Sequence, residues 1–261
     1  MSVLLAFLFV LLGLFVGSFL NVCIDRLPRG KSIVSPPSHC DACNHKLGVL
    51  DLVPVFSYLV LRGRCRYCQA HIPVKLPVVE GVTALLFFFL YWKFGLGIEL
   101  AISLVYLSLL IVIFVVDLEH QLVLDKVTYT GMVLAFAFSF FWPHIGTLGA
   151  LEPGGIKLGM MFSALAGGAI GLVAMALPFV ISRGGMGMGD VKLATLIGLM
   201  TGFPLVLVAL LLSVITGGVV AAILLISRIK KRKDPIPFAP FMAIAALVTL
   251  LWGQAIYQWY L

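Results

Sequence analysis

Runs of apolar residues long enough to cross a bilayer recur along this chain, and no other feature limits its fold so tightly. Met1 to Leu20 carries no charge, and neither does Leu205 to Ile226. About 20 apolar residues in a helix match a hydrocarbon core of ~30 Å. Inside that core every backbone N–H and C=O must be satisfied within the protein, which leaves helices and closed barrels. The runs are too long and too continuously apolar for barrel strands. Of the 261 residues, 62% are hydrophobic and 11% are charged, against about 25% charged in an ordinary soluble domain. The expected fold class is an all-α polytopic membrane protein.

About eight membrane segments are expected. The first is Met1 to Leu20, read as a retained span because it has no basic start and no Ala-x-Ala cleavage signal. The others are Pro77 to Tyr91, Ile98 to Val116, Val127 to Trp142, Ile156 to Ser182, Asp190 to Met200, Leu205 to Ile226 and Ile236 to Tyr257. Asp190 to Met200 has only 11 residues, and at 1.5 Å per residue it does not cross the core unaided. Gly167, Gly168 and Gly171 predict close helix approach in the fifth segment.

The one sizeable polar stretch, residues 25–75, holds Cys40-Asp41-Ala42-Cys43 and Cys65-Arg66-Tyr67-Cys68. Each Cys-x-x-Cys presents two thiolates to one ion, and two such knuckles close a tetrahedral site. The expectation is structural zinc held by Cys40, Cys43, Cys65 and Cys68, in a lobe too small to fold well without it. The chain then divides into a first span at 1–24, a four-cysteine zinc lobe at 25–76 and a membrane core at 77–261.

Basic residues set the orientation. Sixteen of the 18 Lys and Arg fall on one side if that side carries the four-cysteine lobe; Lys93 and Lys157 are the exceptions. The positive-inside rule makes this the cytoplasmic face and places the N-terminus outside. The net charge of +7 is thus an orientation signal between apolar runs, and no nucleic-acid partner is expected. A lipid bilayer is.

Two aspartates stand at the ends of membrane segments on that face. Asp117 closes the third, and Asp190 opens the short one after Gly187-Met188-Gly189. Both carboxylates lie at a similar depth, at the inner membrane surface. Acids there are costly and mark functional sites. Two close carboxylates do not both ionise readily, so one stays protonated. The ionised member takes a proton from water while the neutral one polarises a carbonyl, which is aspartic-protease chemistry. Glu119 and Asp125 are read first as a solvated loop face. Glu80, about a turn inside the second segment, is expected to pair with a cytoplasmic-side arginine or to contact a cationic substrate group.

In this order and spacing the motifs resemble the prepilin peptidase family, bifunctional inner-membrane enzymes of the Gly-x-Gly-Asp class of membrane aspartic proteases. The resemblance rests on Gly17-Ser18-Phe19-Leu20-Asn21-Val22 with Arg26-Leu27-Pro28, the paired Cys-x-x-Cys motifs, Pro77-Val78-Val79-Glu80, Met186-Gly187-Met188-Gly189-Asp190 and Pro237-Phe238-Ala239-Pro240. It implies Asp117 and Asp190 as the catalytic pair, with Gly187 and Gly189 in support. It implies cleavage of a basic leader from type IV prepilins or pseudopilins on the cytoplasmic face. It also implies N-methylation of the new terminus from S-adenosylmethionine. Glu80, Glu119, Asp125, Asn21 and Arg26 are the candidate contacts to substrate or methyl donor. No glycine-rich nucleotide loop is present, so the methyl donor's site cannot be read from the sequence. The competing reading is a multi-span ion or metal transporter with a zinc-binding lobe.

Overall fold

A computed structural model describes residues 3–141, 156–181, 187–229 and 236–260. Residues 27–74 are mostly turns and irregular chain, with a 3-10 turn, one short helix and two isolated bridges; the other described residues are helical apart from short connections. The helices are α1 (Val3–Arg26), α2 (Phe56–Val60), α3 (Lys75–Phe94), α4 (Ile98–His120), α5 (Asp125–Phe138), α6 (Ile156–Ile181), α7 (Met188–Thr201), α8 (Leu205–Ile226) and α9 (Ala239–Tyr260).

Six of these are long and apolar enough to cross a membrane: α1, α3, α4, α6, α8 and α9. All eight expected segments are helical where described, with Trp142 and Ser182 outside the described residues, and among the described residues six helices qualify as spans. Helices α5 and α7 have 14 residues each, about 21 Å at 1.5 Å per residue, which is short of a ~30 Å core. Large apolar side chains stand exposed on the long helices, among them Phe7 and Phe15 on α1 and Leu211 on α8. In water that would be a liability; against lipid it is the expected outer surface.

Contacts divide the chain into two compact units, Met1–Val112 and Ile113–Leu261. The first is built on the pairing of α1 with α3. Glycines bring these two backbones together. A Cβ on Gly13 would lie 2.6 Å from the Ala84 Cα, and one on Gly17 would lie 2.7 Å from the Glu80 Cα. Asn21 adds a side-chain bond, its Nδ2 donating to the Leu76 carbonyl at 3.0 Å. The four-cysteine lobe belongs to this unit.

The second unit is organised around α7, which packs against α5, α6, α8 and α9. Leu193, Ala194, Leu196 and Met200 of α7 are fully buried. Its seam with α6 is backbone on backbone: a Cβ on Gly198 would meet the Gly167 carbonyl, and one on Gly171 the Ala194 carbonyl. Membrane helices lack a hydrophobic force between them and associate through such close packing. The turn after α7 is tied back to α6, with Ser163 Oγ donating to the Phe203 carbonyl at 2.8 Å. A short helix too small to span is therefore held in place by four neighbours, and its first turn carries Asp190.

Candidate active site and metal centre

Asp117 occupies the last turn of α4 and is 5% exposed. The backbone N–H of Ala239, the first residue of α9, donates to its carboxylate. A helix N-terminus presents unpaired N–H groups and the positive end of the macrodipole, so α9 begins where an acid needs a partner. The Oδ2 of Asp117 is buried and has no hydrogen-bond partner among the described residues. A buried carboxylate oxygen left open is a costly arrangement, and it offers an acceptor to a water or a substrate.

Asp190 is half-buried in the first turn of α7, behind the extended Gly187 (φ −72°, ψ 137°). It lies close enough to Asp117 for the two carboxylates to repel one another. Two acids far apart in sequence thus lie within electrostatic range of each other in one unit. Gly189 explains part of the approach. A Cβ there would lie 2.7 Å from the Cβ of Val123, in the turn between α4 and α5. Only glycine lets that turn close over the start of α7. At Gly187 an added Cβ meets nothing nearer than 3.7 Å, so space alone does not demand glycine. Arg183, Gly184, Gly185 and Met186 lie outside the described residues.

The other acids of this unit are placed differently. Asp125, at the start of α5, accepts from Lys192 Nζ at 2.6 Å, and Lys192 stands 5.2 Å from the Tyr129 ring. Lys192 follows Asp190 by two residues, so this ion pair bridges α5 and α7 beside the acidic pair. Glu119 is 4.0 Å from His120 Nε2 at the exposed end of α4. The sequence reading missed Lys192 as a partner and Ala239 as a donor. The Pro-x-Ala-Pro start of α9 was a visible signal for the latter, but nothing in it points to Asp117.

In the first unit Cys40, Cys43, Cys65 and Cys68 bring their sulfurs within 4.8 Å of one another. The Cys40 and Cys68 sulfurs are 3.8 Å apart, which is about the edge of a tetrahedron with Zn–S bonds of ~2.3 Å. The two knuckles repeat the same backbone bonds. Cys40 N–H donates to the His45 carbonyl and Asn44 N–H to the Cys40 carbonyl; Cys65 N–H donates to Ala70 and Gln69 N–H to Cys65. Asn44 and Gln69 hold positive φ, 56° and 59°, each directly after the second cysteine. Backbone N–H groups of Cys43 and Ala42 bring the Cys40 thiol down to about 7. Cys68 receives an N–H from Ala70, yet burial and the crowd of neighbouring sulfurs leave it pushed up to about 12. Four thiols this close cannot all ionise without a cation among them. The four cysteines are therefore able to hold a metal ion.

Glu80 is 8% exposed, and no arginine among the described residues pairs with it. Its Oε2 accepts the Val55 N–H at 2.7 Å, and the Ser18 hydroxyl also bonds to it. Val55 itself holds φ 60°, unusual for a β-branched residue. A strained turn of the lobe is thus fixed to a membrane helix through a carboxylate. Asn21 is 6% exposed, and its Oδ1 has no hydrogen-bond partner among the described residues. Arg26 ends α1 and donates to the Ser32 carbonyl at 3.0 Å. Asp25 beside it pairs with Lys75 at 2.9 Å.

Comparison with known proteins matches both halves of the chain. Residues 11–94 match the bacterial peptidase A24 N-terminal domain, and residues 104–222 match the type IV leader peptidase family. A prepilin leader peptidase/N-methyltransferase of Bacillus subtilis is 33% identical over 258 residues, covering 98% of each chain. The Pseudomonas aeruginosa protein of that name is 32% identical over 97% of this chain and 92% of its own. The Aeromonas hydrophila one is 33% identical over 98% and 93%. No solved structure matches. Matching both parts in order, at about a third identity over nearly its full length, this chain belongs to the type IV leader peptidase family.

Proposed function

We propose that this chain is a membrane aspartic endopeptidase that removes the basic leader from type IV prepilins or pseudopilins, and then methylates the new N-terminal amine. Asp117 and Asp190 are the catalytic pair in this reading. The observation that supports it is the placement of the two acids within electrostatic range in one unit, with an oxygen of Asp117 that has no partner among the described residues. One carboxylate takes a proton from water, whose oxygen attacks the scissile carbonyl carbon. The neutral partner donates a hydrogen bond to the carbonyl oxygen. The C–N bond then breaks, and the proton passes to the leaving amine.

The relatives are named for both activities, and their names contain nothing of a transporter. A prepilin has a basic leader ahead of an apolar helix. Its cleavage point sits at the inner interface when that helix lies in the bilayer, and the positive-inside pattern supports a cytoplasmic site and lobe with the N-terminus outside. Zinc is the metal proposed for the four thiolates, as a structural ion. S-adenosylmethionine supplies an electrophilic methyl group on a sulfonium. Glu119, at the exposed end of α4, is the proposed acidic contact for the leader.

The test is mass spectrometry of a prepilin incubated with the purified protein, with and without S-adenosylmethionine. Loss of the leader mass, followed by a gain of about 14 daltons for one methyl group, is expected. Asp117→Asn and Asp190→Asn should each abolish cleavage, by about 10⁴-fold or more if the pair acts as a unit. Cleavage at the normal rate by either variant rejects the pair.

A further inference from the structure

The lobe of the first unit uses its residues 49–61 in two directions. Some of them close a cavity of about 810 Å³, lined by Asn21, Tyr58, Leu61 and Glu80 among others. The rest face outward. Val49, Leu50, Phe56, Leu59 and Val60 are between 61% and 84% exposed, and none of them lines that cavity. The single turn at Val49–Asp51 packs against α2, which gathers the five side chains in one part of the lobe. On α2, Phe56, Leu59 and Val60 stand at i, i+3 and i+4, one stripe of a helix. An apolar patch of this kind marks an interaction surface.

We propose that residues 49–60 dock into the bilayer as an interfacial anchor, with these five side chains among the upper acyl carbons of the leaflet on the lobe's side. Depth is the main observation. The Val55 N–H reaches Glu80 Oε2 at 2.7 Å, and Ser18 of α1 bonds to the same carboxylate. Glu80 follows the start of α3 at Lys75 by about 7.5 Å, at 1.5 Å per residue. Ser18 precedes the end of α1 at Arg26 by about two turns. The Asp25–Lys75 ion pair marks the water side of both helix ends. A turn bonded to Glu80 therefore runs beside the two membrane helices rather than beyond their ends. Interfacial helices sink about 5–10 Å into the boundary between headgroups and acyl chains, which is the same depth. From that level inward α3 shows its lipid side, with Val78, Val82 and Leu85 exposed at i, i+4 and i+7.

The backbone of the segment is prepared for lipid. The N–H groups of Ser57, Leu59 and Leu61 donate to the carbonyls of Val53, Val55 and Ser57, and Pro54 has no N–H to satisfy. Chain that enters a membrane needs its polar groups answered in this way. Arg62 and Arg64 follow directly, and both are exposed. They suit anionic headgroups, which their long apolar stems allow them to reach from a backbone set lower down. A substrate with an apolar helix and a basic leader would match the apolar stripe, but its leader would be repelled by the two arginines. Lipid therefore fits the surface better than substrate does. The anchor stands apart from the acidic pair and the four sulfurs, and it does not rest on the proposed function.

The test uses the full chain in vesicles of phosphatidylethanolamine and phosphatidylglycerol, doped with a phospholipid that carries a photoactivatable diazirine near the glycerol end of one acyl chain. After illumination, trypsin cuts at Lys46 and Arg62 and releases residues 47–62 as one peptide. Label on that peptide is expected with no prepilin present, and none on the polar knuckle at residues 40–45. Leu59→Glu with Val60→Glu should lower the label at least about tenfold, because two apolar side chains leave the surface and two charges enter it. Bound metal equal to that of the parent chain shows that the lobe of this variant is folded. Should it lose metal, Val49→Ser with Leu50→Ser, outside α2, takes its place and should lower the label as well. An unlabelled 47–62 beside labelled peptides of α1 and α3 overturns the anchor, and so does label that a folded variant leaves unchanged. Protection of 47–62 from hydrogen exchange only on adding a prepilin gives the surface to substrate. Crosslinks joining 47–62 of two chains give it to a second copy. Either of these outcomes overturns the anchor too.

Discussion

Gly189 sets how near the α4–α5 turn can come to the start of α7. Its missing Cβ is the space that Val123 occupies. Gly189→Ala forces the turn away, at an overpacking cost of about 1–3 kcal/mol, and displaces Asp190 from its neighbour. Leader cleavage should fall at least tenfold, since small displacements in a site cost about that much or more. Val123→Gly in the same chain removes the colliding atom and should restore part of the rate. Equal rates in the single and double variants would show that the contact does not position Asp190. Gln69 offers a prediction of the opposite sign. It holds φ 59° after Cys68, where an L side chain costs roughly 1–2 kcal/mol. Gln69→Gly should slow metal release by a chelator, measured with a metallochromic dye. At this scale the sequence was readable where a residue type has one economical use. The four cysteines, which the structure brings together, are such residues. Lys192 on Asp125 and Ala239 on Asp117 were not readable, because each pairing depends on which helices lie side by side.

Among the helices, α7 is the piece that apolar length alone misjudges. It is too short to cross, yet it packs against four others. The α6 glycines announced close approach, and the structure matches them with Gly198 on α7. The seam between α1 and α3 was not anticipated. Gly13 and Gly17 lie in a segment whose periodicity is blurred because nearly every residue is apolar. Gly198→Ala places a methyl against the Gly167 carbonyl and should lower the thermal midpoint of the detergent-solubilised protein by several degrees, for a loss of about 2 kcal/mol. Gly218→Ala on α8, where an added Cβ meets nothing within 4 Å, should leave the midpoint unchanged. Equal midpoints for the two variants would mean that the α6–α7 seam is looser than described. Lengths of α5 and α7 were legible only in part, since a hydrophobic run shows where a helix can form and not where neighbours end it.

For the whole molecule, the readable part was its class: helical, membrane-embedded, with one polar lobe. The cavity beneath that lobe was not legible, because Asn21, Tyr58 and Glu80 come together only when α1, α3 and the lobe are folded. Orientation is testable on intact cells. A membrane-impermeant thiol reagent applied from outside should leave the four lobe cysteines unlabelled, and should reach them in metal-stripped inside-out vesicles. Labelling of intact cells would reverse the proposed topology. The purified chain should carry one zinc, measured by elemental analysis. Chelation should open residues 38–72 to protease, because metal binding and folding are coupled in lobes of this size.

The bond from Val55 to Glu80 carries one more consequence. That acid sits about a turn inside α3, where an ionisable group is costly when nothing answers it. A chain trimmed of its lobe would lose the Val55 N–H and leave the group with the Ser18 hydroxyl. Excision of residues 30–72 should therefore be tolerated better when position 80 is made neutral in the same step, as Glu80→Gln, than when it is left acidic. The lobe and the third helix are, in that sense, inherited together.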